Sequence, residues 1–204
     1  MKTRFSIFLG IVVCLALLPG CFFNVFQTAK MVGAGNIGMM VGVATLTAIG
    51  EEEGAWFLTP QARVSLGLSD TIEVGVRSGA MIDLDSRDTE FLGVVGDAKF
   101  LLFHRPGSFS LATGFGLGYS RDASVLGTLG WGLEGSIYFD YDRQLLPMHI
   151  VYRPLVSLGG EGVNLVHQLA AGLCLNLTSN LRLLFEVDYK SGMVSGGMAV
   201  EMKF

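Results

Sequence analysis

Residues 70–83 read DTIEVGVRSGAMID. Ile72, Val74, Val76, Ala80 and Ile82 occupy one parity, while Glu73, Gly75, Arg77 and Gly79 occupy the other. A period of two marks a strand, because successive side chains leave a pleated backbone on opposite faces. The pattern continues upstream, where Trp56, Leu58, Ala62, Val64, Leu66 and Leu68 alternate with Thr59, Gln61, Arg63, Ser65 and Gly67. Downstream, Phe109, Leu111, Phe115, Leu117 and Tyr119 alternate with Ser110, Ala112 and glycines. Leu181, Leu183, Phe185, Val187 and Tyr189 are set against Arg182, Glu186 and Asp188 in the same way. The chain closes on Met198, Val200, Met202 and Phe204 set against Glu201 and Lys203.

Such stretches fall at 35–47, 55–68, 71–82, 90–103, 109–119, 126–141, 147–158, 164–177, 181–189 and 193–204. Their connections alternate in kind. Ser69-Asp70, His104 to Ser108, Asp142 to Leu146 and Thr178 to Asn180 form tight polar turns, and the connections at 48–54, 83–89, 120–125 and 159–163 are longer or charged. This asymmetry fits an outer-membrane barrel with its short turns on the periplasmic side. The expectation is an all-β fold: a ten-stranded antiparallel up-and-down transmembrane barrel, with eight strands as the alternative count. An even count puts both termini on the periplasmic side. In lipid the sheet must close, because an open edge would leave backbone groups unsatisfied.

Composition bears on which face meets the lipid. Half of the 204 residues are hydrophobic and only 16% are charged, below the roughly 25% usual in soluble domains. Mean hydropathy is +0.52. Past residue 20, however, no unbroken apolar run approaches the ~18–20 residues of a spanning helix, the uncharged stretch 31–50 being interrupted by Asn36, Thr45 and Thr47. The apolar residues are therefore spread over strands. The polar parity holds glycines and a nearly balanced set of charges: Arg63, Arg77, Lys99, Arg153, Arg182 and Lys203 against Glu73, Asp97, Glu134, Asp140, Glu186, Asp188 and Glu201. Small residues and paired charges suit a narrow lumen. Trp56, Tyr119, Trp131, Tyr141, Tyr189 and Phe204 lie on the apolar parity near strand ends, as an aromatic girdle does. A net charge of -4 without basic clusters argues against nucleic-acid binding.

The first twenty residues have Lys2 and Arg4, an uncharged run from Phe5 to Leu18, then Pro19 and Gly20. They read as a secretory signal peptide. Leu18-Pro19-Gly20-Cys21 resembles a bacterial lipobox, which implies cleavage before Cys21 and lipid on its sulfur. Pro19 is less typical of that motif than Ala or Ser. Residues 21–34 then form a lipidated periplasmic tether, reaching about 45 Å if extended at ~3.3 Å per residue, and the barrel spans 35–204. With Cys14 removed and Cys21 lipidated, Cys174 has no disulfide partner.

The stretches GLSDTIEVGV (67–76) and NLTSNLRLLFEV (176–187) resemble the strand–turn–strand units of small bacterial outer-membrane β-barrels. The terminal Phe204, with apolar residues at alternate preceding positions, resembles their assembly signal. The resemblance implies export to the outer membrane of a diderm bacterium. Its partners would be outer-membrane lipids and the barrel-assembly machinery, with small solutes or ions if the lumen is open.

Gly33-Ala34-Gly35-Asn36-Ile37-Gly38 matches G-x-G-x-x-G, but a dinucleotide site needs a preceding buried strand and a following helix in a βαβ unit. The preceding NVFQTAK is a poor buried strand, and although Met39 to Ala48 could pass for a helix, no βαβ unit follows, so no cofactor is expected. Instead, Gly33 and Gly35 relax the start of strand one, while Gly38 and Gly42 keep one of its faces small. Among the histidines, His104 falls in a turn, His149 faces the interior, and His167 lies on the apolar parity with no patterned Ser and acid around it. No catalytic or metal-binding set emerges. The expected function is an envelope barrel, structural or forming a narrow polar pore. An adhesion or partner-binding barrel is the alternative, and a lipid-modifying enzyme is less favoured.

Overall fold

The computed structural model describes residues 26–48, 56–87, 89–121, 130–142, 147–159 and 162–204. The expected signal peptide, the expected lipidation site Cys21 and the acidic stretch Glu51–Glu53 lie outside them. Ten strands follow in chain order: β1 (Ile37–Ala48), β2 (Trp56–Gly67), β3 (Ile72–Asp83), β4 (Thr89–Arg105), β5 (Phe109–Arg121), β6 (Gly130–Tyr141), β7 (Met148–Gly159), β8 (Gly162–Asn176), β9 (Leu181–Lys190) and β10 (Met193–Lys203). Each pairs antiparallel with its sequence neighbours, and β1 closes on β10 from Gly38↔Lys203 to Ala48↔Met193. The seam is tied at its end by Ile37 N–H to Phe204 O (3.1 Å) and Phe204 N–H to Ile37 O (2.8 Å). The fold is a closed ten-stranded antiparallel β-barrel, as the alternation predicts.

Most strand boundaries fall within two residues of expectation, and one of the shifts changes the place of a histidine. β4 continues through His104 to Arg105, because a register shift between Leu101 and Phe103 absorbs one extra residue and the hairpin with β5 extends. His104 is thus a strand residue beside Ser110 (Nδ1···Oγ 2.8 Å) rather than a turn residue. β6 is described from Gly130 onward, and the expected strand residues 126–129 lie outside the described residues. The loops are also less asymmetric than expected: at the end away from the termini, β9 and β10 are joined by Ser191-Gly192 alone, both at positive φ.

In a single-layer barrel a bulky side chain that is almost wholly buried lies in the lumen, so burial of the largest side chains decides which way the faces point. The apolar parity faces out: Phe115 is 62% exposed, Val187 60% and Leu117 50%. The charged parity faces in, with Arg153 and Glu73 each 1% exposed. All six expected girdle aromatics are exposed, and Tyr119 meets Trp131 edge-on at 5.5 Å between centroids. The inner face is less polar than expected. Near the end away from the termini, Leu46, Phe57, Met81 and Met193 also point inward and are buried.

The expected tether differs more. Its described part, residues 26–34, does not hang below the barrel. Phe26, Gln27, Thr28, Ala29 and Val32 are buried inside it. Val32 packs near Gly38 at the mouth where β1 begins, and Phe26 lies deeper, against Gly42. The chain turns into β1 through Gly33 (φ +83°) and Gly35 (φ +71°), where a side chain would be strained. A Cβ on Gly42 would come within 2.7 Å of Ala199 Cβ and 2.9 Å of the Phe26 ring. Gly42→Val should therefore lower stability by about 1–3 kcal/mol through overpacking. Gly196→Ala, with no atom within 4 Å of the added Cβ, should be near neutral. Urea unfolding in detergent micelles checks the pair.

Candidate functional site

The strands converge their chemistry on the lumen. The inward parity of β2, β3 and β4 carries Arg63, Glu73 and Asp97. Arg63 donates from Nη1 to Glu73 Oε1 (2.7 Å), and from Nη2 and Nε to the two oxygens of Asp97 (2.5 and 3.2 Å). Gly75 leaves the room its guanidinium fills. Lys99 completes this group at 3.3 Å from Glu73 Oε1. A second group lies between β3, β6 and β7. Arg77 bonds Glu134, and Arg153 Nε lies 3.9 Å from the same carboxylate oxygen. One carboxylate is thus shared by two guanidinium groups. A third group pairs His149 Nε2 with Glu186 Oε2 (3.1 Å) and Gln168 with Asp188 (3.0 Å). Nearest the terminal mouth, Arg182 meets Glu201 at 3.0 Å.

All thirteen expected lumen charges fall on the inner parity of their strands. Arg63, Glu73, Arg77, Lys99, Glu134, Asp140, Arg153, Glu186 and Asp188 are buried, as is the Asp97 side chain. Arg182, Glu201 and Lys203 are partly exposed around the terminal mouth. Among the described residues no group of His, Cys, Asp and Glu could hold a metal. Sequence reasoning missed the buried Lys190 and Gln168, and the hydroxyl of Tyr138. Lys190 continues the inward row of Glu186 and Asp188 but lies one residue past the expected end of its strand.

The largest omission is the plug. Residues 26–32 are held by wall carboxylates that accept backbone N–H groups at every third position. Phe26 N donates to both oxygens of Glu186 (3.0 Å each), Ala29 N to Asp140 Oδ1 (2.9 Å) and Val32 N to Glu73 Oε2 (2.9 Å). Lys99 Nζ donates to the carbonyls of Thr28 (3.1 Å) and Lys30 (2.8 Å). Tyr138 donates to Gln27 Oε1 (2.8 Å), and Lys30 pairs with Asp142 (3.2 Å). Two apolar clusters form around the plug's side chains. Phe26 packs with Met40, Ala44, Cys174, Leu184 and Ala199, and Ala29 with Ala112, Tyr138, Val151 and Ala170. Wall charges that would be costly to bury alone thus have both each other and a peptide backbone as partners.

No family model matches the chain, and no curated protein matches it. Solved structures do. The COG4313 outer membrane channel from Pseudomonas putida F1 aligns with a TM-score of 0.58 at 7% identity, over 89% of this chain and 100% of that one. The N-terminal β-barrel domain of Pseudomonas aeruginosa OprF gives 0.42 at 13% identity, over 84% and 99%. The outer membrane protein OprG of the same species gives 0.41 at 13%, over 87% and 99%. At such identities likeness speaks for fold alone, and only the first score is high enough to carry that argument. The fold is that of outer-membrane β-barrels.

Proposed function

We propose that this chain is an integral protein of the bacterial outer membrane, exported through the secretory pathway, with both termini periplasmic. Its barrel is sealed by its own N-terminal segment and serves the envelope as a structural element. The observation that carries this reading is the bonding of Phe26, Ala29 and Val32 backbone N–H groups to Glu186, Asp140 and Glu73 inside the lumen. The inward Leu46, Phe57, Met81 and Met193 toward the other end add to the filling. Small barrels are filled in this way, and open aqueous channels appear at about sixteen strands. Lipid on Cys21 is part of the proposal. Four residues, five steps of at most ~3.4 Å each or about 17 Å in all, then separate the anchor from the seated Phe26.

A second reading, a narrow polar pore, is favoured by the charges that line the wall beneath the plug. Planar-bilayer recording separates the two. The intact chain should be silent at high salt, and steady discrete conductance from it would overturn the sealed reading. A variant lacking residues 26–32 should conduct in small discrete steps if the wall bounds a path, and its silence would remove the pore reading. The histidines lend no support to an enzyme: the bonding partner of His167 is Tyr152, and that of His149 is Glu186.

A further inference from the structure

The outer wall carries a feature that a sealed lumen does not require. Across β4 to β7 the lipid-facing rows are interrupted by residues without bulk. Gly96 would meet nothing within 4 Å if given a Cβ, and Gly135 would meet only Pro154 Cγ at 3.5 Å. The result is a groove of about 720 Å³, walled mainly by Gly96, Phe115, Leu117, Gly135, Pro154 and Val156. That lies within the roughly 300–1,000 Å³ of small-molecule pockets. Pro154 also marks a gap in the sheet. The β6–β7 ladder runs from Trp131↔Leu158 to Glu134↔Leu155 and resumes at Ile137↔Tyr152. Proline has no N–H to give to the intervening positions.

A polar pair sits at the groove's edge. The register partner of Pro154 on β8 is His167. Its Nδ1 lies 2.7 Å from the Tyr152 hydroxyl, and the two rings stack at 6.0 Å and 14°. Both residues are exposed on the apolar, outward face. A neutral imidazole and a phenol hold two polar hydrogens between them, and their mutual bond uses one. Whichever nitrogen carries the proton, one donor is left for an outside acceptor. Such a donor in hydrocarbon is costly until it finds one.

We infer that the groove and this pair form a binding site for a fatty-acyl amphiphile drawn from the surrounding lipid. Its chain lies along Gly96, Phe115 and Gly135, and its carboxylate or ester carbonyl accepts the spare hydrogen of the Tyr152–His167 pair. The surrounding apolar belt excludes water-borne solutes, and a purely apolar ligand would leave the donor unmet.

Trp131 stands four residues from Gly135 on the same outward row of β6 and reports occupancy. In the full chain carrying Trp56→Phe, it is the sole tryptophan of the two in the sequence. Titration in micelles with 9,10-dibromostearate should quench Trp131 saturably, and its methyl ester should do likewise if a carbonyl suffices. If the acid alone saturates, the ligand is the free carboxylate. 9,10-Dibromooctadecane, which has no acceptor, should bind about tenfold or more weakly. His167→Phe and Tyr152→Phe should each weaken the acid by about tenfold, equivalent to 1.4 kcal/mol, and Gly135→Leu should abolish saturation. Heat-modifiable gel mobility confirms that each variant is folded. Unsaturable quenching in the parent, equal binding of the acceptor-free alkane, or unchanged affinity in both phenylalanine variants would overturn the assignment.

Discussion

Replacing Glu73 by alanine should lower the unfolding free energy by about 3–5 kcal/mol, the usual cost of stripping one partner from buried ions. This carboxylate accepts from Arg63 (2.7 Å), stands 3.3 Å from Lys99 and also accepts the Val32 N–H (2.9 Å). Its loss leaves two buried cations short of a counter-charge and frees the lower end of the plug. Glu73→Gln keeps a hydrogen-bond acceptor but not the charge, and should fall between alanine and the parent. Unfolding by denaturant in micelles or liposomes measures both. An alanine variant as stable as the parent would mean that these ion pairs are solvated and the lumen is wet.

Val41→Arg should cost about 2–4 kcal/mol, the depth-dependent penalty for arginine on the lipid face near the bilayer midplane. Val41 lies near the middle of β1, paired with Ala62 and Val200, and is 59% exposed. Leu68, almost equally exposed at 57%, lies just past the end of β2. There the same change should cost only about 0–1 kcal/mol, because the guanidinium reaches the headgroups. Exposure to water would make the two substitutions alike. The difference between them, read from unfolding in liposomes, therefore reports the solvent around the barrel.

The sequence revealed the wall and concealed what lies within it. Ile72 to Ile82 and Leu181 to Tyr189 show their faces through alternation alone, because each residue there answers to one of two solvents. Gly38 and Gly42 could be read as keeping a face small, yet the reason for that smallness, Val32 and Phe26 packed against them, was out of reach. The plug stretch FQTAKMV has no period. It is held largely through backbone N–H and C=O groups, which every residue possesses, so its side chains carry little trace of the contact. Met81 and Phe57 break the pattern for another reason: where the lumen is packed, an apolar side chain fills the inner face as well as the outer. The Tyr152–His167 pair needed the β7–β8 register, which fixes which residues meet across strands and which no single strand's pattern contains.

The central claim, apolar side chains turned to lipid around a lumen occupied by residues 26–32, is tested most directly by spin-label accessibility in liposomes. Single cysteines at Val41, Phe115 and Lys30 would be labelled in a chain whose own Cys14, Cys21 and Cys174 are replaced by alanine. Labels at Val41 and Phe115 should collide with dissolved oxygen and be shielded from a water-soluble nickel chelate, and the label at Lys30 should be immobile and shielded from the chelate. Outward labels open to nickel, or a mobile and nickel-accessible label at Lys30, would contradict the account.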